Sequence, residues 1–423
     1  MAVSTDPYRL RTLTTVDEFA LSFGVLADAF GDDFSDVALD RSRLVFEPDR
    51  NHVVEHSDDG PVATAGAYTR DVTVPGGTVA AAHVTLVGVR QTHRRRGLLT
   101  RLMRHQLNDV RRRGEPIAML WASEGPIYQR FGYGLAAQRH SMTISTRDVG
   151  LTDPKASRAR QPRDVSPAGR LRDASPPEVR KDLQSVYERV LPSRPGWSSR
   201  DNHWWDLKVS DPPSLRDGHT ATRALLFEGP AGIDGYALWR RKTISGANGP
   251  HGEIHVAEVI AATPDAYVAL WRFLLSVDLT RTVRCRLGAA DEPLRYLVGE
   301  PRALGVQVGD ALWVRVVDVP AALSARRYAA GIDVVLEVTD DLLPGNAGRW
   351  RLTGNTDGAT CAPTTDPVAL SCDIADLGAL YLGGTPLGAL TAGGRVRELR
   401  PGAAAAAAAA FGWYRAPSAL DTF

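Results

Sequence analysis

Residues 84–107 read VTLVGVRQTHRRRGLLTRLMRHQL, and no other stretch says as much about the fold. It opens on a β-like run, passes through a basic loop with one glycine, Gly97, and continues into a helix. Leu98, Leu99, Leu102, Leu107 and Val110 mark one face of that helix. Gly114 and Pro116 terminate it. IAMLWAS (117–123) follows as a buried strand, and a short helix begins near Pro126 and stops at Gly132.

Upstream, VDEFALSFGVLADAF (16–30) repeats Phe19, Phe23, Leu26 and Phe30 at three- and four-residue steps, the mark of an amphipathic helix. PVATAGAYTRDVTV (61–74) and TVAAAHVTLVGV (78–89), joined by Pro75-Gly76-Gly77, predict a hairpin. This first α/β unit ends near Ser145. The Pro-, Ser- and Arg-rich segment 151–178 reads as a linker. A second region, about 172–304, repeats the pattern: a helix over 177–191, paired strands at 223–229 and 232–242, then strand, loop and helix over 253–277. Its loop is ATPDAYVA (262–269), without the basic residues or the glycine. The third region begins around ALWVRVVDVPAALSARRY and reads as α+β, with short strands and a helical alanine run at 403–410.

Composition bounds the function. At 423 residues, two or three domains are expected. A net charge of +1 speaks against a nucleic-acid binder. The 50 basic residues include four lysines (Lys155, Lys181, Lys208, Lys242), leaving 46 arginines, so a run of three arginines is less unusual here. Cys285, Cys361 and Cys372 are too few and too scattered for a disulfide framework or a four-cysteine zinc site, and no metal is expected. The opening MAVSTDPYRLRTLTT lacks the apolar core of a secretory signal, and nothing approaches the roughly 20 apolar residues of a membrane span. A soluble cytoplasmic protein is the expectation.

Three readings of Arg94-Arg95-Arg96-Gly97 compete. Nucleic-acid binding needs many contacts over a basic face, which this chain lacks. A solvated charge run is the bland alternative. The third uses geometry: Gly97 lets the backbone approach a ligand, and the helix start offers unpaired N–H groups suited to a pyrophosphate. The end of the preceding strand is placed to pair with the amides of an extended ligand. Amides leading to a pyrophosphate describe coenzyme A.

The segment resembles the acyl-CoA site of the GCN5-related N-acetyltransferases, whose loop reads Arg/Gln-x-x-Gly-x-Gly/Ala. Arg94-Arg95-Arg96-Gly97-Leu98-Leu99 matches the first two anchors and departs at the last. THRRRGLL (92–99) followed by ASEGPIYQRFGYG (122–134) is similar to one subgroup, the enhanced-intracellular-survival (Eis) family of aminoglycoside and lysine N-acetyltransferases. The likeness extends through LWVRVVDVPAAL (312–323), ADLGALYLGG (375–384) and the closing Phe423. It implies an α+β chain with α/β-like mixed sheets: an acetyl-CoA-binding domain at 1–150, a degenerate acetyltransferase-like domain at 151–304, and a sterol-carrier-protein-like domain at 305–423. It also implies a homohexamer.

By the same resemblance, acetyl-CoA contacts fall on Val87, Gly88, Val89, Arg95, Arg96, Gly97, Leu98, Leu99, Thr100, Ser123 and Glu124. Tyr128 becomes the general acid, against the plain reading that it shares a packed face with Phe131. The general base implied is the terminal carboxylate of Phe423. Direct proton transfer from a lysine-type amine (pKa about 10.4) to an α-carboxyl (roughly 3.3–3.7) is uphill by ~9 kcal/mol, so burial or a relaying water is required. The tail must then be tucked into the first domain. Asp28 is the member of the acidic cluster Asp28, Asp32, Asp33, Asp36 and Asp40 with a family counterpart in the acceptor pocket. Trp204, beside Trp205, is a candidate wall of that pocket, and Leu86 lies next to it in the pattern. Thr422 and Leu86 stand where an acidic and an aromatic residue are expected, which leaves the acceptor range open. The expected activity is acetyl transfer from acetyl-CoA to aminoglycoside or other polyamine substrates. Acetylation of protein lysines, or non-catalytic lipid binding with a vestigial loop, are the alternatives.

Overall fold

The computed structural model describes residues 6–151, 169–245, 249 and 251–423. The chain opens with β1 (Tyr8–Thr12), α1 (Phe19–Phe30), α2 (Asp36–Arg43), β2 (His52–His56), β3 (Gly60–Val74), β4 (Gly77–Val89), α3 (Leu98–Arg112), β5 (Ile117–Trp121), α4 (Gly125–Gln129), β6 (Gly134–Leu135) and β7 (Gln138–Ser145). The hairpin and the strand–loop–helix–strand order stand as expected. Part of the acidic stretch is helical: Ser35 accepts from the Ala38 N–H at 3.3 Å, and Asp36 and Arg41/Arg43 complement the ends of α2.

The hairpin strands are buried on successive residues over much of their length because both faces of the sheet are covered. β4 pairs antiparallel with β3, but it runs parallel to β5 only over Ala81–His83 against Ile117–Met119. Beyond that point Leu86 adopts φ 53° and the register with β3 shifts between Thr64 and Gly66. Such a bulge bends a strand. The β4 edge from Val84 to Val89 is left without β5, which continues instead against a strand from far along the chain.

The second unit contains β8 (Arg170–Ala174), α5 (Arg180–Val190), α6 (Asn202–Val209), β9 (Arg223–Gly229), β10 (Gly232–Ile244), β11 (His251–Ala261), α7 (Pro264–Ser276), β12 (Thr280–Gly288), β13 (Gln307–Asp310) and β14 (Leu312–Val316). Of the expected linker, 152–168 lie outside the described residues, while Arg170–Ala174 is a strand that pairs with β9. β11 and β12 are parallel, with α7 between them in the chain, as β4 and β5 are with α3. At the start of α7, Thr263 accepts from the Ala266 N–H at 3.3 Å, so that helix end already holds a side-chain cap.

The sheets do not follow chain order. The first is β1-β2-β3-β4-β5-β14-β6 and the second β13-β7-β12-β11-β10-β9-β8. β7 leaves the first unit to pair with β12 and β13, and β14 returns from the second to pair with β5 and β6. The two passing segments are tied where Ala136 and Ala137 donate to the Leu312 carbonyl and Ala311 donates to that of Ala137. Divisions at 150 and 304 therefore cut through the pairing, and LWVRV (312–316), read as the start of the third region, is a strand of the first sheet.

The remainder comprises α8 (Val319–Ala325), β15 (Ile332–Thr339), β16 (Gly348–Gly354), β17 (Ala359–Pro363), β18 (Leu370–Asp373), α9 (Ile374–Leu380), α10 (Leu387–Ala392), β19 (Arg397–Glu398) and α11 (Ala403–Phe411), with sheet order β17-β16-β15-β18-β19. α9 lies directly on β6 and β14. A Cβ on Gly134 would sit 1.8 Å from the Ala375 carbonyl oxygen, and one on Gly378 would sit 2.2 Å from that of Val314. Arg315 and Asp340, both buried, pair at 2.7 Å across the same junction. Among the described residues no helix is long and apolar enough to cross a membrane.

Candidate active site

A cavity of about 380 Å³ opens along the unpartnered edge of β4. Val87, Gly88, Val89, Arg95, Gly97, Leu98, Leu99, Thr100, Ser123 and Glu124 all line it. Arg96 does not; it is exposed on the outer side of the loop. The loop's path is fixed by two left-handed residues, Arg95 at φ 63° and Gly97 at φ 78°. Gly97 is the N-cap of α3 and offers no side-chain cap, so the first N–H groups of a fifteen-residue helix face the cavity. A Cβ at Gly97 would meet nothing within 4 Å, which means the glycine is there for its backbone angle.

Sequence reasoning missed Ala29 and Phe30 from the end of α1, His93, Ile127 and Arg130, and it placed Arg94 in the loop without a contact of its own. Arg94 does not reach toward a ligand. Its guanidinium donates to the Ala29 carbonyl at 2.9 Å and the Val89 carbonyl at 3.4 Å, tying α1 to the bulged strand. Arg95 and Arg130 remain as cations on the cavity wall. The donors suit a pyrophosphate, and the open strand edge suits an extended chain of amides. The residues therefore fit coenzyme A.

A second cavity, of about 360 Å³, meets the first. The two share Phe30, Val87, Ser123 and Tyr128. Tyr128 sits on the five-residue α4, which carries Pro126 in its first turn, and its side chain is buried with its ring edge-on to Tyr133 at 6.0 Å. Burial raises its pKa above that of an ordinary tyrosine, against a hydrogen bond with Ser123 that lowers it. The phenol is therefore protonated at neutral pH and able to donate.

Leu86, Trp204 and Phe423 line this second cavity, as do Tyr68, Trp121 and Thr422. Trp204 comes from α6 of the second unit, where Asp201 caps the helix by accepting from the Trp204 N–H at 2.9 Å. Its ring is held edge-on by Tyr68 at 5.2 Å and under the Arg70 guanidinium at 4.0 Å. Trp205 is core. Asp28 is not in the site: its carboxylate pairs with Arg90 at 2.7 Å and lines neither cavity. It lies on α1 two residues before Phe30, and the helical turn carries it to a different face.

The last residues are held rather than frayed. Trp197 Nε1 donates to Ser418 Oγ at 3.0 Å, and the Ser418 N–H donates to the Pro195 carbonyl at 3.0 Å. Asp421, which the sequence left unassigned, is the anchor. Arg70 and Arg200 donate to its carboxylate at 2.9 and 2.8 Å, and Trp121 donates to its carbonyl at 3.0 Å. Arg200 also pairs with buried Glu258, as does Lys208. Burial alone would raise the Asp421 carboxyl; the charges of Arg200, Lys208 and Arg70 overcome it and hold it well below the usual carboxylate range. Two residues on, the Phe423 ring packs against His83 at 4.7 Å. His83 donates or accepts at Ser198 Oγ (2.7 Å) and is held neutral by burial and by Arg70, with its pKa lowered to about 3.

Comparisons with known proteins show the family. Family models for an acetyltransferase (GNAT) domain match residues 9–136 and again 196–316, and a sterol carrier protein domain matches 319–419. An uncharacterised N-acetyltransferase of Streptomyces avermitilis is 44% identical over 404 residues, covering 95% of this chain and 96% of its own. The N-acetyltransferase Eis of Mycobacterium tuberculosis is 34% identical over 333 residues, 77% of each chain. Among solved structures, Eis1 from Mycobacterium abscessus superposes with a TM-score of 0.81 at 34% identity, over 98% of this chain and 100% of that one.

Proposed function

The chain belongs to the Eis-like N-acetyltransferases, and from that premise we propose that it moves the acetyl group of acetyl-CoA to a primary amine, with Tyr128 as general acid and the carboxylate of Phe423 as general base. As an N-acetyltransferase it is an enzyme, and the non-catalytic reading falls. Aminoglycosides are the acceptor class the family resemblance puts first. One observation carries the assignment of roles: the cavity at Gly97 and the cavity at Phe423 meet at Tyr128.

The chemistry follows from that placement. Arg95, the α3 N-terminus and the β4 edge hold the thioester carrier, with the acyl end toward Tyr128. The neutral amine nitrogen enters from the Trp204 side and attacks the thioester carbon, and the carbon–sulfur bond breaks. The departing sulfur takes the phenolic proton of Tyr128, and the proton lost by nitrogen passes to the Phe423 carboxylate. In water that transfer is steeply uphill, so burial of the carboxylate and the amine, or a relaying water, is required to narrow the gap.

Thiol release from acetyl-CoA, measured across aminoglycosides, lysine and simple amines, tests the activity. A chain extended by two glycines after Phe423 displaces the carboxylate and is expected to lose on the order of 10²–10⁴ in kcat. An unaffected extended chain removes Phe423 from the mechanism.

A further inference from the structure

Resting on the role given to the Phe423 carboxylate, we infer that the cleft of the second unit is the binding site for the chain's own tail, and that Asp291 is a positioning residue for the reaction. The cleft is where the second sheet repeats the geometry of the first. β11 runs parallel to β12 only from Gly252 to Val256, against Thr280 to Cys285. From Ala257 onward its edge is left without β12, as the β4 edge is left without β5. In the first unit the open edge leads into cavities of about 380 and 360 Å³; in the second about 100 Å³ remains. Tyr267 and Trp271 of α7 line what is left, together with Arg415, Ser418 and Leu420 of the tail.

The contacts there are those by which a site holds the main chain of a peptide. Asp291 accepts from the Ala416 N–H at 3.1 Å, and Arg194, its ion-pair partner, donates to the Ala416 carbonyl at 2.9 Å. Both backbone groups of one residue are thus gripped by one Arg–Asp pair. Two residues on, Ser418 donates its N–H to the Pro195 carbonyl and accepts from Trp197 Nε1, each at 3.0 Å. Leu420 then packs on Tyr187, Trp197 and Ile260. Residues 416, 418 and 420 follow the two-residue period of an extended chain. The alternate residues face elsewhere: Ala419 belongs to the core cluster of the first and third sheets, and a Cβ on Gly384 would lie 2.4 Å from the Pro417 ring. Glu258, on the open edge of β11, holds Arg200 and Lys208, which reach Asp421. The segment that grips the tail is itself fixed to the first unit, because Gly196 donates to the Thr73 carbonyl and Thr73 to that of Trp197, both at 2.8 Å. The second cleft therefore aims the chain end at the active site. Asp291 lines neither active-site cavity, so it acts through the tail.

The test is Asp291→Ala in the full-length chain, read as kcat, Kd for acetyl-CoA and the rate at which carboxypeptidase releases Phe423. The protease needs a free chain end, so its rate follows the population whose tail has left the cleft. The expected result is release faster by about tenfold or more and kcat lower by about tenfold or more, with Kd unchanged. Asp291→Asn keeps an acceptor for the Ala416 N–H and is expected to retain more of the kcat than the alanine variant; it also carries the test if the alanine variant fails to fold. Release at the normal rate from both variants overturns the inference and leaves the role of Phe423 standing. Faster release with normal kcat overturns the role of Phe423 and, with it, Asp291 as a positioning residue. Equal losses of kcat and of acetyl-CoA affinity in both variants reduce Asp291 to a folding residue and overturn the inference.

Discussion

Burial acts in opposite senses on Tyr128 and Asp421. It strengthens the phenol's hold on its proton, while at Asp421 three cations overcome it and keep the carboxylate charged. The first effect suits a proton donor; the second makes a fixed anchor two residues from the chain end. Removing the charge with Asp421→Asn leaves Arg70 and Arg200 without their shared partner, and breaking buried pairs costs about 3–5 kcal/mol. The variant is expected to lower kcat at least tenfold while the Kd for acetyl-CoA stays unchanged, since Asp421 lies outside the cofactor cavity; equal losses in both would reduce it to a folding residue. Single residues were legible in the sequence where a local motif surrounds them. The run from Gly97 to Thr100 is such a motif, whereas Tyr128 was reached through the family resemblance. Asp421 was not legible, because its partners lie more than 200 residues away and its own neighbours are unremarkable. Asp28 was singled out by its family counterpart alone, and here its carboxylate is paired with Arg90.

At the scale of elements, one glycine angle separates the working cleft from its counterpart. α3 starts at Gly97 with φ 78° and uncapped N–H groups, whereas α7 starts at Thr263 and is capped by its hydroxyl. Gly97→Val forces a β-branched residue into the left-handed region, at roughly 1–2 kcal/mol, and rebuilds the loop. Calorimetric titration is expected to show a Kd for acetyl-CoA raised at least tenfold, with the melting temperature little changed because Gly97 is exposed and has no close neighbours. An unchanged Kd would mean that the helix start does not hold the diphosphate. The strand–loop–helix element was readable because its period, its breaker and its glycine are all local. The kink in β4 at Leu86 was not, since a leucine at positive φ has no sequence signature and arises from tertiary packing.

Over the whole molecule, the exchanged strands β7 and β14 weld the two acetyltransferase-like sheets, and the tail is stitched across both. The number of regions was legible from length and repeated pattern, and their kinds from the family resemblance. The exchange was not, because strand alternation says nothing about which sheet a strand joins. The same compactness buries His83 and His52, each held neutral: burial and Arg70 lower the first to about 3, and burial and His105 lower the second to about 4. The unfolded chain takes up these protons near pH 6.5, and the folded chain does not until the lowered values. Stability is therefore full above about pH 6.5 and falls as pH drops, by about 1.4 kcal/mol per unit for each histidine. Urea midpoints should drop steeply between pH 6.5 and 4; a flat profile would show that these histidines accept protons in the fold. All of this scaffolding serves the meeting of two cavities at one phenol, so the most direct measurement is kcat for Tyr128→Phe alongside its Kd for acetyl-CoA. The expected result is a loss on the order of 10²–10⁴ in kcat with binding intact; a variant that turns over at the normal rate would contradict proton donation by Tyr128.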